Sequence, residues 1–66
     1  MKNKLKVARA ELDITQGELA EKINVSRQTI NAIESGKYVP STILSLKMAK
    51  VFGQNVEEIF FLEEND

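Results

Sequence analysis

The chain has 66 residues, nine basic and ten acidic, with a formal net charge of −1 and neither cysteine nor histidine. That length holds one domain, residues 1–66, with a small core, since a chain this short buries only about 60% of the surface it exposes when unfolded. The missing residue types exclude disulfides, a zinc site of the usual nitrogen and sulfur ligands, and the Ser-His-Asp or Cys-His pairs of nucleophilic catalysis.

The first helix is expected from about Asn3 to Leu12, with Leu5, Ala8 and Leu12 at helical spacing. Lys4, Lys6, Arg9 and Glu11 take its other faces, and Asp13 breaks the pattern. Thr15 and Glu18 form a Thr-x-x-Glu capping box that starts the second helix, and Ile14 precedes it as a hydrophobic staple would. Leu19, Ala20 and Ile23 make the inward stripe. Gly17, a poor helix former, has no explanation at this level. Asn24 ends the helix because Asn tolerates the left-handed conformation that a C-terminal stop wants.

Only Val25 separates that stop from Ser26, an N-cap for a third helix with Ile30 and Ile33 inward. Gly36 closes this helix, and Pro40 keeps Val39 out of helix. Ser41 caps a fourth helix that runs to about Phe52 and ends at Gly53. Its apolar residues (Ile43, Leu44, Leu46, Met48, Ala49, Val51 and Phe52) cover more than one stripe, which predicts burial on two sides. Asn55 caps a short fifth helix through about Phe60, with Glu57 and Glu58 favoured by the dipole of its first turn. Phe61 and Leu62 either pair as a short strand with the chain start or cover the core. The expected class is all-α: five helices with a helix-turn-helix over residues 15–36 and an acidic tail over residues 61–66.

The segment from Thr15 to Gly36 carries the function. Two helices joined by so short a turn cross steeply, at about 90–120°. The outer face of the third helix then presents Arg27, Gln28, Thr29 and Asn31. Arg grips guanine O6/N7 with two hydrogen bonds, Gln or Asn grips adenine N6/N7, and Thr touches a thymine methyl. No acid interrupts this face until Glu34 at its far end. Gln16 sits at the N-terminus of the second helix, where free N–H groups and the dipole attract a phosphate. Lys37 and Tyr38, just past Gly36, are placed for the next phosphates along the strand. Charge is distributed to match. Residues 1–50 hold all nine bases and five of the acids, while residues 51–66 hold the other five acids and no base. An ordinary solvated surface with a soluble acidic tail would show the same asymmetry.

The runs Thr15-Gln16-Gly17-Glu18-Leu19-Ala20 and Asn24-Val25-Ser26-Arg27-Gln28-Thr29-Ile30-Asn31-Ala32-Ile33-Glu34-Ser35-Gly36-Lys37-Tyr38 resemble the phage Cro/repressor-type helix-turn-helix proteins, also called the xenobiotic-response-element family. The resemblance covers about residues 4–60 and implies a five-helix DNA-binding domain, usually a dimeric transcriptional regulator. It places a phosphate on Gln16, the major groove against Arg27, Gln28, Thr29 and Asn31, and the DNA backbone near Lys37 and Tyr38. Asn24 stands where the family often has Gly, and Thr42 where it often has Leu.

The expected function is therefore sequence-specific binding of double-stranded DNA by a homodimeric repressor on a palindromic operator, without enzymatic activity, cofactor, metal or evident small-molecule effector. Val51, Val56, Phe60 and Phe61, with Ile43 or Leu44, are candidates for the dimer interface. No apolar run approaches the ~18–20 residues of a membrane span and no export signal follows Met1, which fits a cytoplasmic protein. An antitoxin whose acidic tail grips a basic toxin, and a helical protein-interaction module without DNA binding, are the alternatives.

Overall fold

Every helix of this chain starts or stops on hydrogen bonds made within a few residues of its own end. The computed structural model describes residues 1–66. It contains helices α1 (Leu5–Leu12), α2 (Gln16–Ile23), α3 (Arg27–Glu34), α4 (Thr42–Phe52) and α5 (Val56–Ile59), with two-residue strands β1 (Lys2–Asn3) and β2 (Phe60–Phe61).

The hydroxyls of Thr15, Ser26 and Ser41 accept from the backbone N–H of Glu18 (3.0 Å), Thr29 (3.2 Å) and Leu44 (3.1 Å), which satisfies donors that α2, α3 and α4 leave unpaired. The Glu18 carboxylate returns to the Thr15 N–H at 2.9 Å and completes the capping box. The Thr15 amide and hydroxyl hold the Glu18 carboxyl below its ordinary pKa. At α5 the box is one-sided in its side-chain bonds: Glu58 accepts from the Asn55 N–H at 2.7 Å, while its own N–H goes to the Asn55 carbonyl.

Four helices stop in one way. The residue past the end, or at α3 the second one past it, turns left-handed at Asp13 (φ 56°), Asn24 (φ 62°), Gly36 (φ 79°) and Gly53 (φ 64°). Its N–H and the next one fold back onto the last turn, as in Asn24 to the Glu21 carbonyl (3.3 Å) and Val25 to that of Ala20 (3.0 Å). This double bond pattern is the Schellman motif.

Thirteen buried apolar residues drawn from all five helices and β2 form one core, with Leu5, Leu19, Ile30, Met48 and Ile59 fully enclosed. Ile14 and Val25, on either side of α2, pack against it. Strands β1 and β2 pair antiparallel, with Lys2 opposite Phe61 and Asn3 opposite Phe60. The Lys4 N–H extends the pairing to the Ile59 carbonyl at 2.7 Å, and the Lys4 ammonium lies 5.3 Å from the Phe61 ring centre.

Five expectations from the sequence are corrected. Helix α1 begins at Leu5 rather than Asn3, because Asn3 is taken by the strand pair and its Oδ1 accepts from the Leu5 N–H. Leu12 is exposed at the end of α1, where no other element covers it. Arg9, expected on an outer face, is largely enclosed. Helix α5 ends at Ile59, since Phe60 becomes extended to pair with Asn3. Helix α4 is buried on one side only. Leu44, Met48, Ala49 and Phe52 face α1, α2 and α5, while Ile43 and Leu46 are 69% and 58% exposed. No helix is long and apolar enough to cross a membrane.

Gly17 has neither positive φ nor a crowded neighbourhood: a Cβ there would meet only the Thr15 Oγ1, at 3.8 Å. Gly17→Ala is therefore expected to stabilise the folded chain by up to about 1 kcal/mol. Thermal unfolding checks this, and a lower Tm in the variant would contradict it.

Candidate nucleic-acid interface

The candidate surface is built where α3 turns one edge to solvent beside the start of α2. Between Ile23 and Arg27 the chain spends three residues, enough to keep α2 and α3 as separate rods. Ile30 and Ile33 fix one side of α3 in the core, so the spacing of 3.6 residues per turn sends Arg27, Gln28 and Asn31 outward, where all three are exposed.

Gln16, Arg27, Gln28 and Asn31 line one concavity, and Arg9, Thr15, Gln16, Gly17 and Arg27 share the depression beside it. Thr29 is only half exposed, and its hydroxyl lies 3.0 Å from that of Ser26. Lys37 and Tyr38 are exposed beyond the end of α3 and line neither concavity. Their N–H groups fold back to the Ala32 carbonyl at 2.9 and 3.2 Å, which fixes where the loop leaves the helix.

Beneath this surface lies a contact that inspection of the sequence missed. The Arg9 guanidinium donates through Nε to Glu34 Oε2 and through Nη2 to Oε1 at 3.1 Å, a two-pronged pair. Its Nη1 also donates to the Ile14 carbonyl at 3.0 Å. One side chain thus joins α1, the turn before α2 and the end of α3. The pair is largely enclosed, with side-chain exposures of 14% for Arg9 and 8% for Glu34. Gln16 Nε2 donates to the same Glu34 Oε1 at 3.1 Å and, more weakly, to Asn31 Oδ1 at 3.4 Å. A signal for this was present: Arg9 lies four residues after Leu5 and beside Ala8, on the inward half of α1.

Burial pushes the Glu34 carboxyl up. The hydrogen bonds from Arg9 and Gln16 and the charges of Arg9 and Lys6 more than offset this and hold it below the ordinary range. The Arg9 guanidinium is raised by its bond to Glu34. The acid that stood at the end of the polar face is therefore neutralised and turned inward, so it does not oppose an anionic ligand on that face. No group of side chains with metal-binding composition is present.

The helix-turn-helix family model matches residues 5–59. The chain belongs to the helix-turn-helix family. It is 56% identical to an uncharacterized HTH-type transcriptional regulator of Methanocaldococcus jannaschii and 48% identical to one of Bacillus subtilis, in each case over the full length of both chains. A third, from Methanothermobacter thermautotrophicus, is 46% identical over 98% of this chain and 96% of its own. The family is one of DNA-binding transcriptional regulators and is generally non-enzymatic.

Because the folded-state pKa of Glu34 lies below its unfolded value, the pair stabilises the fold above that unfolded value, about 4.3. The contribution is lost as pH falls through the folded value. Glu34→Ala leaves the enclosed guanidinium unpaired and should cost about 2–3 kcal/mol at neutral pH. Glu34→Gln should flatten the dependence of stability on pH in the acid range, as pH falls below about 5. Urea unfolding across that range reads both, and unchanged pH dependence in Glu34→Gln would refute the assigned role.

Proposed function

We propose that this chain is a transcriptional regulator that binds double-stranded DNA sequence-specifically through α3, as a homodimer on a roughly palindromic operator, and acts as a repressor. The observation that carries the proposal is the convergence of Gln16, Arg27, Gln28 and Asn31 on one exposed polar concavity, with the neighbouring acid withdrawn into an ion pair. Arg27 and the two amides offer hydrogen bonds to base edges in the major groove. The first N–H groups of α2 suit a phosphate at its edge, and the Gln16 amide joins them by exchanging its weak bond to Asn31 for one to the phosphate. Lys37 and Tyr38 are assigned to the backbone farther along, and Thr29, with its hydroxyl drawn toward Ser26, contributes its methyl at most.

Dimeric binding is supported by size. One chain measures 32 × 22 × 20 Å, suited to a single half-site, and successive major grooves on one face of a duplex lie about 34 Å apart. Repression follows most simply, since occupying a promoter requires nothing beyond binding. Names of the relatives place them among transcriptional regulators and agree with this reading.

Selection from random duplexes tests the proposal and returns the half-site spacing. Arg27→Ala should erase preference at one base pair per half-site, at about 1–3 kcal/mol. Lys37→Ala should weaken all sequences alike and reduce the salt slope by about 1. An unaltered motif from Arg27→Ala would remove that residue from base contact, and no enrichment by the parent chain would end the proposal.

A further inference from the structure

Gln16 stands between two depressions. With Arg27 it lines both the one that holds Thr15 and Gly17 and the one that holds Gln28 and Asn31. The first suits a phosphate, because the capping box uses the N–H groups of Thr15 and Glu18 while those of Gln16 and Gly17 have no partner. The second offers amides to base edges. The direction of each hydrogen bond across this surface is fixed from Arg9 outward. A guanidinium only donates, and an ionised carboxylate only accepts. Glu34, ionised beside Arg9, therefore takes the nitrogen of the Gln16 amide, at 3.1 Å, and not its oxygen. The other N–H of the same nitrogen points to Asn31, 3.4 Å away, so the Asn31 atom turned toward α2 is the oxygen, Oδ1. Its Nδ2 is what remains for the groove.

We infer that Gln16 and Glu34 couple the phosphate contact to base reading: Asn31 gains both ends of its amide for a base only after a phosphate has taken the Gln16 N–H that otherwise holds it. The inference rests on the DNA binding proposed above and deepens it. The two bonds of Gln16 Nε2 are unequal. The one to Glu34 is charge-assisted and joins the enclosed Arg9–Glu34 pair, whereas the one to Asn31 is long, neutral and exposed. A phosphate at the free N–H groups of α2 is itself a charged acceptor, so it displaces the weaker partner. Glu34 meanwhile keeps the Gln16 amide from turning its oxygen toward that anion. Adenine recognition needs the amide oxygen to accept from N6 and the amide nitrogen to donate to N7. With Oδ1 drawn to Gln16, only the donor faces the base. Gln16 and Glu34 are thus positioning residues for Asn31, and a duplex whose backbone does not fit α2 is read less selectively.

Binding titrations with the duplex returned by selection test the coupling. Asn31→Ala marks the base pair that Asn31 reads. Methylphosphonates, each removing one phosphate charge, mark the phosphate that Gln16 holds, since its neutralisation weakens the parent more than Gln16→Ala. With that phosphate neutral, the parent's preference at the Asn31 base pair should fall by about two- to tenfold, the worth of one net hydrogen bond. Gln16→Ala, at a half-buried site, leaves Oδ1 free throughout and should keep one preference whether the phosphate is charged or neutral. Glu34→Gln, whose amide both donates and accepts, should bind with the coupling lost; coupling intact in that variant would remove Glu34 from the positioning role. If the neutral phosphate weakened the parent equally for every base at that position, or if Asn31→Ala kept the parent's motif, the coupling would be overturned while DNA binding stood. A parent chain that enriches no duplex would overturn both.

Discussion

The Glu34 carboxylate is the point on which the geometry of the reading surface depends. It receives two hydrogen bonds from Arg9 of α1 and one from Gln16 at the start of α2, and it sits at the last residue of α3. Packing of Leu19, Ala20, Ile23, Ile30 and Ile33 brings α2 and α3 together, but apolar contact is non-directional and leaves rotation and sliding weakly determined. A planar guanidinium facing a planar carboxylate admits far fewer arrangements. The third donor, from Arg9 to the Ile14 carbonyl, ties the turn before α2 into the same frame. A second tether, from Asn3 Nδ2 to the Ile33 carbonyl at 2.9 Å, holds the end of α3 to the chain start.

The frame has two functional consequences. It locks α3, whose inward side Ile30 and Ile33 set, against α1 and the start of α2, so the outward Arg27, Gln28 and Asn31 are held beside Gln16. It also removes an anion from a surface that has to approach phosphates. With Glu34 paired, Arg27 and Lys37 set the local charge, although the whole chain carries −1. The acids of the C-terminal segment lie away from this surface, where Glu57 and Glu58 share a cleft with α1. The molecule thus divides into a polar face built on α2 and α3 that carries Arg27, an acidic face near α5, and a face of α4 on which Ile43 and Leu46 stand exposed beside Lys47 and Lys50. Each division follows from which side of a helix its neighbours cover.

Most of the fold was legible because its boundaries are local. Thr15 with Glu18, Ser26 with Thr29, and Ser41 with Leu44 are bonds across three residues. Asn24, Gly36 and Gly53 stop helices through bonds inside the same turn. A residue type at such a position carries the whole physical cause with it. The exposed residues of α3 were legible for a related reason, since Ile30 and Ile33 define the inward side and helical geometry assigns the rest. Asn3 was misread because its partner in the strand pair, Phe60, lies at the other end of the chain.

The amino-acid order by itself determined where α2, α3 and α4 begin and end, the separation of α2 from α3, and the side-chain chemistry along α3. Only the tertiary structure decided the partner of Arg9, the tilt of the Gln16 amide toward Asn31 and Glu34, and the exposure of Ile43 and Leu46. The reason is the range of the forces involved. Capping and turn formation are satisfied within one turn of backbone, whereas the Arg9–Glu34 pair spans 25 residues of sequence. An apolar residue on α4 is core or surface according to whether another element crosses it. That is a property of the assembled chain, and composition at the residue itself does not contain it.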